Sequence, residues 1–204
     1  MEYLIFGFIT GLSLILAIGA QNVFVIEQGL KKQYVFLVCF VCSISDFLLI
    51  FLGVFLFHFF HQYFNFFIEL FLNILLIIFL IYFVYTKIKS LKININLNSD
   101  IKNISKKEIF LKTLGFTYLN AHVYSDTVFF LGNISKNFFL NEKIYFGAGA
   151  SIASFVFFFG LGYLSSFFSK YAQSNLVWKY INLFVITFMT FLSVYIIRET
   201  FYLL

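Results

Sequence analysis

Residues 34–57 have the sequence YVFLVCFVCSISDFLLIFLGVFLF, in which Asp46 is the one charged side chain. An α-helix needs about 20 mostly apolar residues to cross the roughly 30 Å of hydrocarbon in a bilayer. These 24 residues are therefore long enough and apolar enough to form a transmembrane helix. Cys39 and Cys42 form a CxxC inside this apolar run, where we predict buried helix residues rather than a redox or metal site.

The rest of the chain has the same apolar character. Of its 204 residues, 62% are hydrophobic and 11% are charged, and the mean hydropathy is +0.95. A soluble domain has about 25% charged residues and about 45–50% apolar ones. This chain has too few polar side chains to cover a globule, which excludes a soluble enzyme, a disulfide scaffold and a disordered chain. An integral membrane protein is the class that fits.

Six stretches are long and apolar enough to span the membrane, and together they predict an all-α protein with six transmembrane helices. They are 3–26, 34–57, 64–86, 112–132, 143–168 and 177–197. A Lys-rich linker, 87–111, separates the third from the fourth. We predict one transmembrane transporter domain over 1–204, with halves at about 1–86 and 112–204.

The basic residues are distributed unequally between the two sides of the membrane. If all six stretches cross, eleven Lys residues follow spans one, three and five, and three basic residues lie on the opposite side. Cytoplasmic loops carry the excess of Lys and Arg. The linker is therefore predicted to be cytoplasmic, with both termini outside. The net charge of +5 bears on orientation rather than on nucleic-acid binding, and homo-oligomerisation is left open.

The two halves contain similar sequences in the same order. GAQNVF (19–24) corresponds to NAHVY (120–124), SISDF (43–47) to SIASF (151–155), and IELF (68–71) to INLF (181–184). Three spans per half is an odd number, so the second half has to insert upside down. The prediction is a 3+3 inverted repeat, a plan in which secondary transporters bind substrate near the midplane between the repeats.

Two acidic residues are predicted near the middle of the membrane, Asp46 in the second span and Asp126 in the fourth. A carboxylate at this depth costs on the order of 2.5–3.5 kcal/mol on insertion scales. Two acids at one depth in different halves are suited to binding a cation or carrying a proton. The alternative is that each hydrogen-bonds neighbouring Ser or Tyr residues as structural support.

Other polar residues lie near these acids or interrupt the apolar spans. Asn120 and His122 precede Asp126, and α-helical spacing places His122 and Asp126 on one face, as a proton relay or as a structural pair. Gln21 and Asn22 follow a glycine in the first span, where their amides are suited to contacting freed backbone groups or a substrate.

Further residues are given structural explanations. Glu27 and Gln28 are predicted to be solvated at the cytoplasmic mouth. Four glycines of the fifth span are predicted to allow close helix packing: Gly147, Gly149, Gly160 and Gly162. The sequence contains no phosphate loop, zinc motif or nucleophile triad, so we predict neither an enzyme nor a metal or cofactor site.

Three motifs resemble the LysE family of amino-acid exporters. GAQNVFV (19–25) followed by Gln28-Gly29 is similar to the G-P-Q-N and Q-G of that family's first span, and ISD (44–46) is similar to its second-span aspartate. LNAHVYSDT (119–127) is similar to the L-N-P-H-V-Y-x-D-T segment of the arginine-exporter branch. The resemblance extends in order over essentially the whole chain.

The resemblance implies a secondary carrier that exports basic amino acids, arginine first and lysine second, across the bacterial inner membrane. It implies coupling to protons or to the membrane potential, and no tightly bound cofactor. Asp46 and Asp126 would meet the cationic side chain or the coupling proton. Gln21, Asn22 and Asn120 would line the pathway near the α-amino and carboxylate groups.

The family's two prolines are replaced by Ala20 and Ala121 in this chain. Proline removes a backbone donor and forces a helix break. With alanine, Gly19 and Asn120 permit a break but do not impose one. The alternatives to basic amino-acid export are export of another amino acid or small solute by a relative in the same superfamily, and a non-transporting membrane scaffold.

Overall fold

The computed structural model describes residues 1–16, 19–63, 66–92, 105–120, 123–172 and 175–203, and these residues contain no β-strand. Each half has two short helical segments followed by two long ones. The first half contains α1 (Glu2–Ile15), α2 (Ala20–Lys31), α3 (Val35–Tyr63) and α4 (Phe66–Lys92). The second contains α5 (Lys106–Tyr118), α6 (residues 124–135), α7 (Leu140–Phe168) and α8 (Asn175–Leu203). Segment α6 is a π-helix, Tyr124–Phe130, that continues into the α-helix Leu131–Ser135.

Three described helices are long and apolar enough to cross a membrane: Val35–Phe57 in α3, Leu140–Tyr171 in α7 and its continuation, and Lys179–Arg198 in α8. The pair α1 and α2 has the same character, but the two helices meet at 84°, as a broken span or a re-entrant loop. By length and composition the described residues thus provide three spans, or four with the bent pair. The chain is an all-helical, multi-pass membrane protein.

The first and fourth predicted spans are each interrupted rather than continuous. Within 3–26, α1 ends at Ile15 and α2 starts at Ala20. Within 112–132, α5 ends at Tyr118, and helical structure is described again from residue 123. Both interruptions form in a chain that contains no proline.

The predicted linker 87–111 is helical at both described ends. Helix α4 continues to Lys92, and α5 begins at Lys106, where the Ser105 hydroxyl accepts a hydrogen bond from the Glu108 backbone N–H at 3.1 Å. A capping serine satisfies one of the free N–H groups at a helix start. Residues 93–104 lie outside the described residues.

Close helix crossings join the two halves through glycine. A Cβ atom at Gly29 of α2 would lie 2.5 Å from the carbonyl oxygen of Gly162 in α7. A Cβ at Gly53 of α3 would lie 2.5 Å from the carbonyl oxygen of Val128 in α6, and one at Gly132 would lie 2.7 Å from the carbonyl oxygen of Gly53. Side chains at these positions would force the backbones apart, so glycine sets the helix spacing.

The predicted packing role of the glycines in the fifth span is confirmed at two positions. Gly149 contacts the backbone of α1 at Leu4, and Gly162 contacts Cys39 of α3 most closely and then Val25 of α2. Gly147 has only ordinary contacts with the ring of Phe51, and a Cβ at Gly160 would meet no described atom within 4 Å.

The distribution of polar and apolar side chains is the one expected of a protein embedded in lipid. Large apolar side chains such as Phe36, Phe71 and Phe191 are exposed on the outside of the helices, whereas Ser43, Ser154 and other polar side chains are buried between them. So many large apolar side chains on the outside of a protein mark a membrane or partner interface. Cys39 and Cys42 are buried and free, as predicted.

Candidate functional site

A cavity of about 280 Å³ lies where the two interrupted regions meet. Gly19 and Ala20 reach it from the first interruption, and Asn120 reaches it from the second. Its apolar wall consists of Leu14, Ile15, Leu76, Val123, Phe158 and Ile196. Its polar lining consists of Gln21, Asn22, Asp46, Asn120, Asp126 and Thr127, with Tyr195 beside them. Both halves of the chain therefore contribute polar groups to one cavity.

The first interruption is held by a side chain of the helix that follows it. The Asn22 amide nitrogen donates a hydrogen bond to the Ile15 carbonyl oxygen at 3.1 Å. Ile15 is the last residue of α1, where carbonyl groups lack intrahelical donors. Gly19, between the helices, has an extended backbone with φ −112° and ψ −179°. The break is thus stabilised by Asn22 and by the extended residue, without proline.

Asp46 lies in the middle of α3 with only 3% of its surface exposed. The Ser154 hydroxyl on α7 donates a hydrogen bond to Oδ2 of Asp46 at 2.8 Å. No other hydrogen bond to Asp46 is formed within the described part of the chain. A buried carboxylate with so few donors is costly unless a positive group or a proton joins it, which makes the cavity side of Asp46 suited to either.

Asp126 lies within the π-helical part of α6 and is half-buried. The Tyr124 hydroxyl donates to the Tyr118 carbonyl oxygen at 2.9 Å and so connects the two sides of the second interruption. Thr127 donates through its hydroxyl to the carbonyl oxygen of Val123. A π-helix is rare and is frequently found at functional sites. Here it widens the helix where Asp126 faces the cavity.

Five of the six predicted site residues line this one cavity. They are Gln21, Asn22, Asp46, Asn120 and Asp126. His122 lies outside the described residues. The prediction that His122 and Asp126 share an α-helical face assumed α-helix throughout, whereas the structure has a π-helix from Tyr124. The functional roles of all six residues stay predictions.

Two neighbours of the acids were missed in the sequence. Tyr195 of α8 lines the cavity, but nothing in its local sequence distinguishes it from the other twelve tyrosines. Ser154 donates a hydrogen bond to Asp46. The sequence contained a signal for this contact, because aligning the similar segments SISDF (43–47) and SIASF (151–155) pairs position 46 with position 154.

The prediction that Glu27 and Gln28 are solvated is wrong. Glu27 is 2% exposed and Gln28 is similarly buried. The Lys31 Nζ atom lies 2.6 Å from Oε1 of Glu27. The cause is the close crossing at Gly29, which brings this end of α2 against α7 and removes the flanking side chains from solvent.

The charged side chains among the described residues that line the cavity are all acidic. Two carboxylates line it, and no Lys or Arg is among its described lining residues. Within the same described ranges, no group of three or more His, Cys, Asp or Glu side chains is placed to hold a metal ion. The cavity therefore presents acceptors for a positively charged organic group.

Comparison with known proteins gives the family that the chain resembles over most of its length. The family described as LysE type translocator matches residues 12–200. The chain is 31% identical over 180 residues to the "Arginine exporter protein ArgO" of Pectobacterium atrosepticum, covering 88% of each chain. Proteins of the same name in Klebsiella pneumoniae and Salmonella typhimurium are 29% identical, with 95% and 98% of this chain and 92% and 95% of theirs covered. No solved structure matches the chain.

Proposed function

Because this chain belongs to the LysE type translocator family, and is thus a membrane transporter rather than an enzyme, we propose that it exports L-arginine across the bacterial inner membrane, with L-lysine as a second substrate. The relatives named as arginine exporters align over nearly its full length. Export is proposed to be secondary transport, driven by the proton gradient or the membrane potential.

The observation that carries the proposal is the pair of carboxylates in one cavity. Asp46 comes from the first half and Asp126 from the second, and no Lys or Arg is among the described residues that line the cavity. A guanidinium forms two parallel hydrogen bonds with a carboxylate. Beside a buried carboxylate such as Asp46 this pairing is stronger than in bulk water. A cationic amino acid fits this cavity better than a neutral one.

The proposed architecture is six spans arranged as a 3+3 inverted repeat. Two short helical segments followed by two long ones occur in each half, in the same order. The glycine crossings are exchanged between the halves: α2 meets α7 at Gly29, and α6 meets α3 at Gly132. The hydrogen bond between Asp46 and Ser154 joins two positions that the repeat aligns. These features support a twofold axis that passes near the cavity.

The proposed orientation places both termini outside and the Lys-rich linker in the cytoplasm, as the positive-inside rule predicts. The chain then forms one transmembrane domain, with its halves on either side of the cavity. A site between inverted repeats suits alternating access, in which one half rocks against the other around the bound substrate.

The residue roles follow from this arrangement. We assign Asp46 and Asp126 to the positive groups of the substrate or to the coupling proton. Gln21, Asn22 and Asn120 line the pathway beside them. His122 is assigned the relay of a proton to Asp126.

The test is arginine accumulation in cells fed an arginine-containing dipeptide, with and without the protein. Expression should lower intracellular arginine, and Asp46→Asn and Asp126→Asn should each abolish the difference. Glu142→Gln is the matched control, because Glu142 caps α7 away from the cavity. Equal accumulation with and without the protein would reject arginine export, and wild-type export by either Asn variant would remove that acid from the mechanism.

A further inference from the structure

Glu27 of α2 is a buried acidic residue outside the described lining of the cavity. Its side chain is 2% exposed, and the Nζ atom of Lys31, whose side chain is 20% exposed, lies 2.6 Å from its Oε1 atom. Removing a carboxylate from water has a large free-energy cost, which the attraction of one lysine often fails to offset. An ionisable side chain buried in a membrane protein therefore indicates a functional site.

A second ion pair in the chain has the same spacing but is solvated. The Nζ atom of Lys112 lies 2.7 Å from Oε1 of Glu108 in α5, and the two side chains are 25% and 49% exposed. Pairs four residues apart stabilise a helix in water. An exposed pair would give α2 the same support without the cost of burial. Support of the helix therefore does not explain why Glu27 is both charged and buried.

Glu27 lies on the face of α2 that leads away from the cavity. Ala20 lines the cavity, and Phe24 and Glu27 follow it by four and seven residues, which places all three on one helix face. At 1.5 Å per residue, Glu27 is about 10 Å further along the helix axis than Ala20. Lys31 continues the same face to the end of α2, which the proposed orientation places at the cytoplasmic surface.

An aromatic layer, formed by Phe24, Phe83 and Phe116, separates Glu27 from the cavity. The three residues come from α2, α4 and α5, and each is at most 4% exposed. The ring centroid of Phe116 is 4.8 Å from that of Phe24 and 5.0 Å from that of Phe83. Leu76, seven residues before Phe83 on α4, lines the cavity. Both α2 and α4 therefore lead from the cavity to this layer.

The aromatic layer is also a contact between the two halves of the chain. Phe116 belongs to the second half, and Phe24 and Phe83 belong to the first. Rocking of one half against the other, as in alternating access, would separate these rings and connect Glu27 with the cavity.

We propose that Glu27 is a cytoplasmic entry site, which binds the positive side-chain group of the basic amino acid before the substrate passes the aromatic layer. Lys31 occupies this site until substrate arrives. Its ammonium is the same chemical group as that of a lysine substrate, and a guanidinium replaces it with two parallel hydrogen bonds. This inference rests on the proposed export and orientation, and it adds a second binding site to the one in the cavity.

Two substitutions in the ion pair have opposite expected effects. Glu27→Gln removes the negative charge and keeps the size of the side chain, so arginine loses its entry site. Lys31→Met removes the ammonium that competes with arginine for Glu27. A pair with only a structural role predicts that both substitutions lower transport, because each breaks the same contact. Faster entry of arginine in Lys31→Met cannot result from misfolding.

The chain offers a matched control for each substitution. Lys32→Met removes the same positive charge from the next residue, which caps α2 through backbone hydrogen bonds to the carbonyl oxygens of Gln28 and Gly29. Glu108→Gln breaks the solvated ion pair of the same spacing. Both controls should transport arginine as the wild type does.

The experiment measures counterflow of radiolabelled L-arginine into inside-out membrane vesicles that contain the full-length protein and unlabelled L-arginine. The medium then contacts the cytoplasmic face. Glu27→Gln should lower kcat/KM on the order of tenfold, as expected for a lost hydrogen bond to a charged group, with kcat nearly unchanged because the cavity is intact. Lys31→Met should raise kcat/KM about threefold, as expected when a partly exposed ion pair no longer competes. The double variant should match Glu27→Gln.

The outcomes separate this inference from the function on which it rests. Wild-type kcat/KM in Glu27→Gln, or no increase in Lys31→Met, would overturn the entry site and leave arginine export intact. An equal increase in Lys32→Met would also overturn it, because loss of positive charge alone would then explain the effect. Opposite changes in the two variants, with both controls normal, would support the entry site. Absence of arginine counterflow in the wild type would overturn the proposed function and this inference with it.

Discussion

Replacing Ser154 by alanine removes the hydrogen bond that the structure provides to the buried Asp46. The Ser154 hydroxyl lies 2.8 Å from Oδ2 of Asp46 and joins α7 to α3. Alanine is the best helix former and fits the space of serine, so α7 itself should be unaffected. The variant thus tests how much this single donor contributes to holding a carboxylate in the cavity.

The expected cost follows from the charge and burial of the acceptor. A hydrogen bond to a charged group contributes about 1.5–3 kcal/mol, and one between neutral groups about 0.5–1.5 kcal/mol. Asp46 is only 3% exposed and receives no other hydrogen bond within the described residues. We therefore expect Ser154→Ala to lower the free energy of unfolding by about 1.5–3 kcal/mol. In an Asp46→Asn background the same change should cost about 1 kcal/mol or less.

Ser151→Ala is the matched control, one turn earlier on the same helix. The Ser151 side chain is also buried, but its hydroxyl donates to the carbonyl oxygen of Gly147 in its own helix at 2.8 Å. Such a bond within a helix contributes little to stability. The assay is denaturant titration of the purified protein in mixed micelles, for the four members of the Asp46–Ser154 cycle and the control.

Two results would refute this reasoning. The first is a cost for Ser154→Ala equal to that for Ser151→Ala. The second is a coupling energy between Asp46 and Ser154 within about 0.5 kcal/mol of zero, which is the scatter expected of independent sites. Either result would mean that Asp46 is held by something other than the contact between the two halves.

Three further predictions concern the break, the helix crossing and the orientation. Asn22→Leu should destabilise the protein by about 1–3 kcal/mol and reduce export, because the hydrogen bond across the first interruption is lost. The control is Asn133→Leu, since Asn133 is exposed. Equal export by the two variants would contradict the role of the hydrogen bond. Gly29→Ala should cost about 1–3 kcal/mol by overpacking, whereas Gly160→Ala, with open space around it, should cost nothing measurable in the same titration. A cysteine introduced at position 2 should react with an impermeant thiol reagent added to intact spheroplasts, and protection of that position would contradict an outside N-terminus.

Much of the fold could be predicted from the sequence because insertion into a bilayer depends on local properties. Burial of about 20 consecutive apolar side chains in lipid is favourable wherever they occur, so 34–57 is predicted from its own residues. The same holds for the acids, since a carboxylate is conspicuous in an apolar helix. The two acids were predicted at a similar depth in different spans, and both line one cavity with Gln21, Asn22 and Asn120.

The two helix interruptions could not be predicted from local sequence. Alanine at positions 20 and 121 neither favours nor prevents a break. The break in the first span is held by a side-chain bond from Asn22 to Ile15, and the second is bridged by Tyr124 and Tyr118. Helix propensity describes a residue in isolation and does not include such bonds.

The sequence by itself determined that the chain is an apolar, membrane-spanning helical protein, which residues are costly to bury in lipid, and which family it belongs to. Those properties depend on composition and on the order of residues along one helix. Only the tertiary structure decided that Glu27 is buried, that Ser154 donates to Asp46, and that Tyr195 lines the cavity. Each of these depends on how closely helices distant in sequence approach one another. That approach is set by glycine crossings such as Gly29 on Gly162, because the absence of a side chain has an effect only where another helix is packed against it.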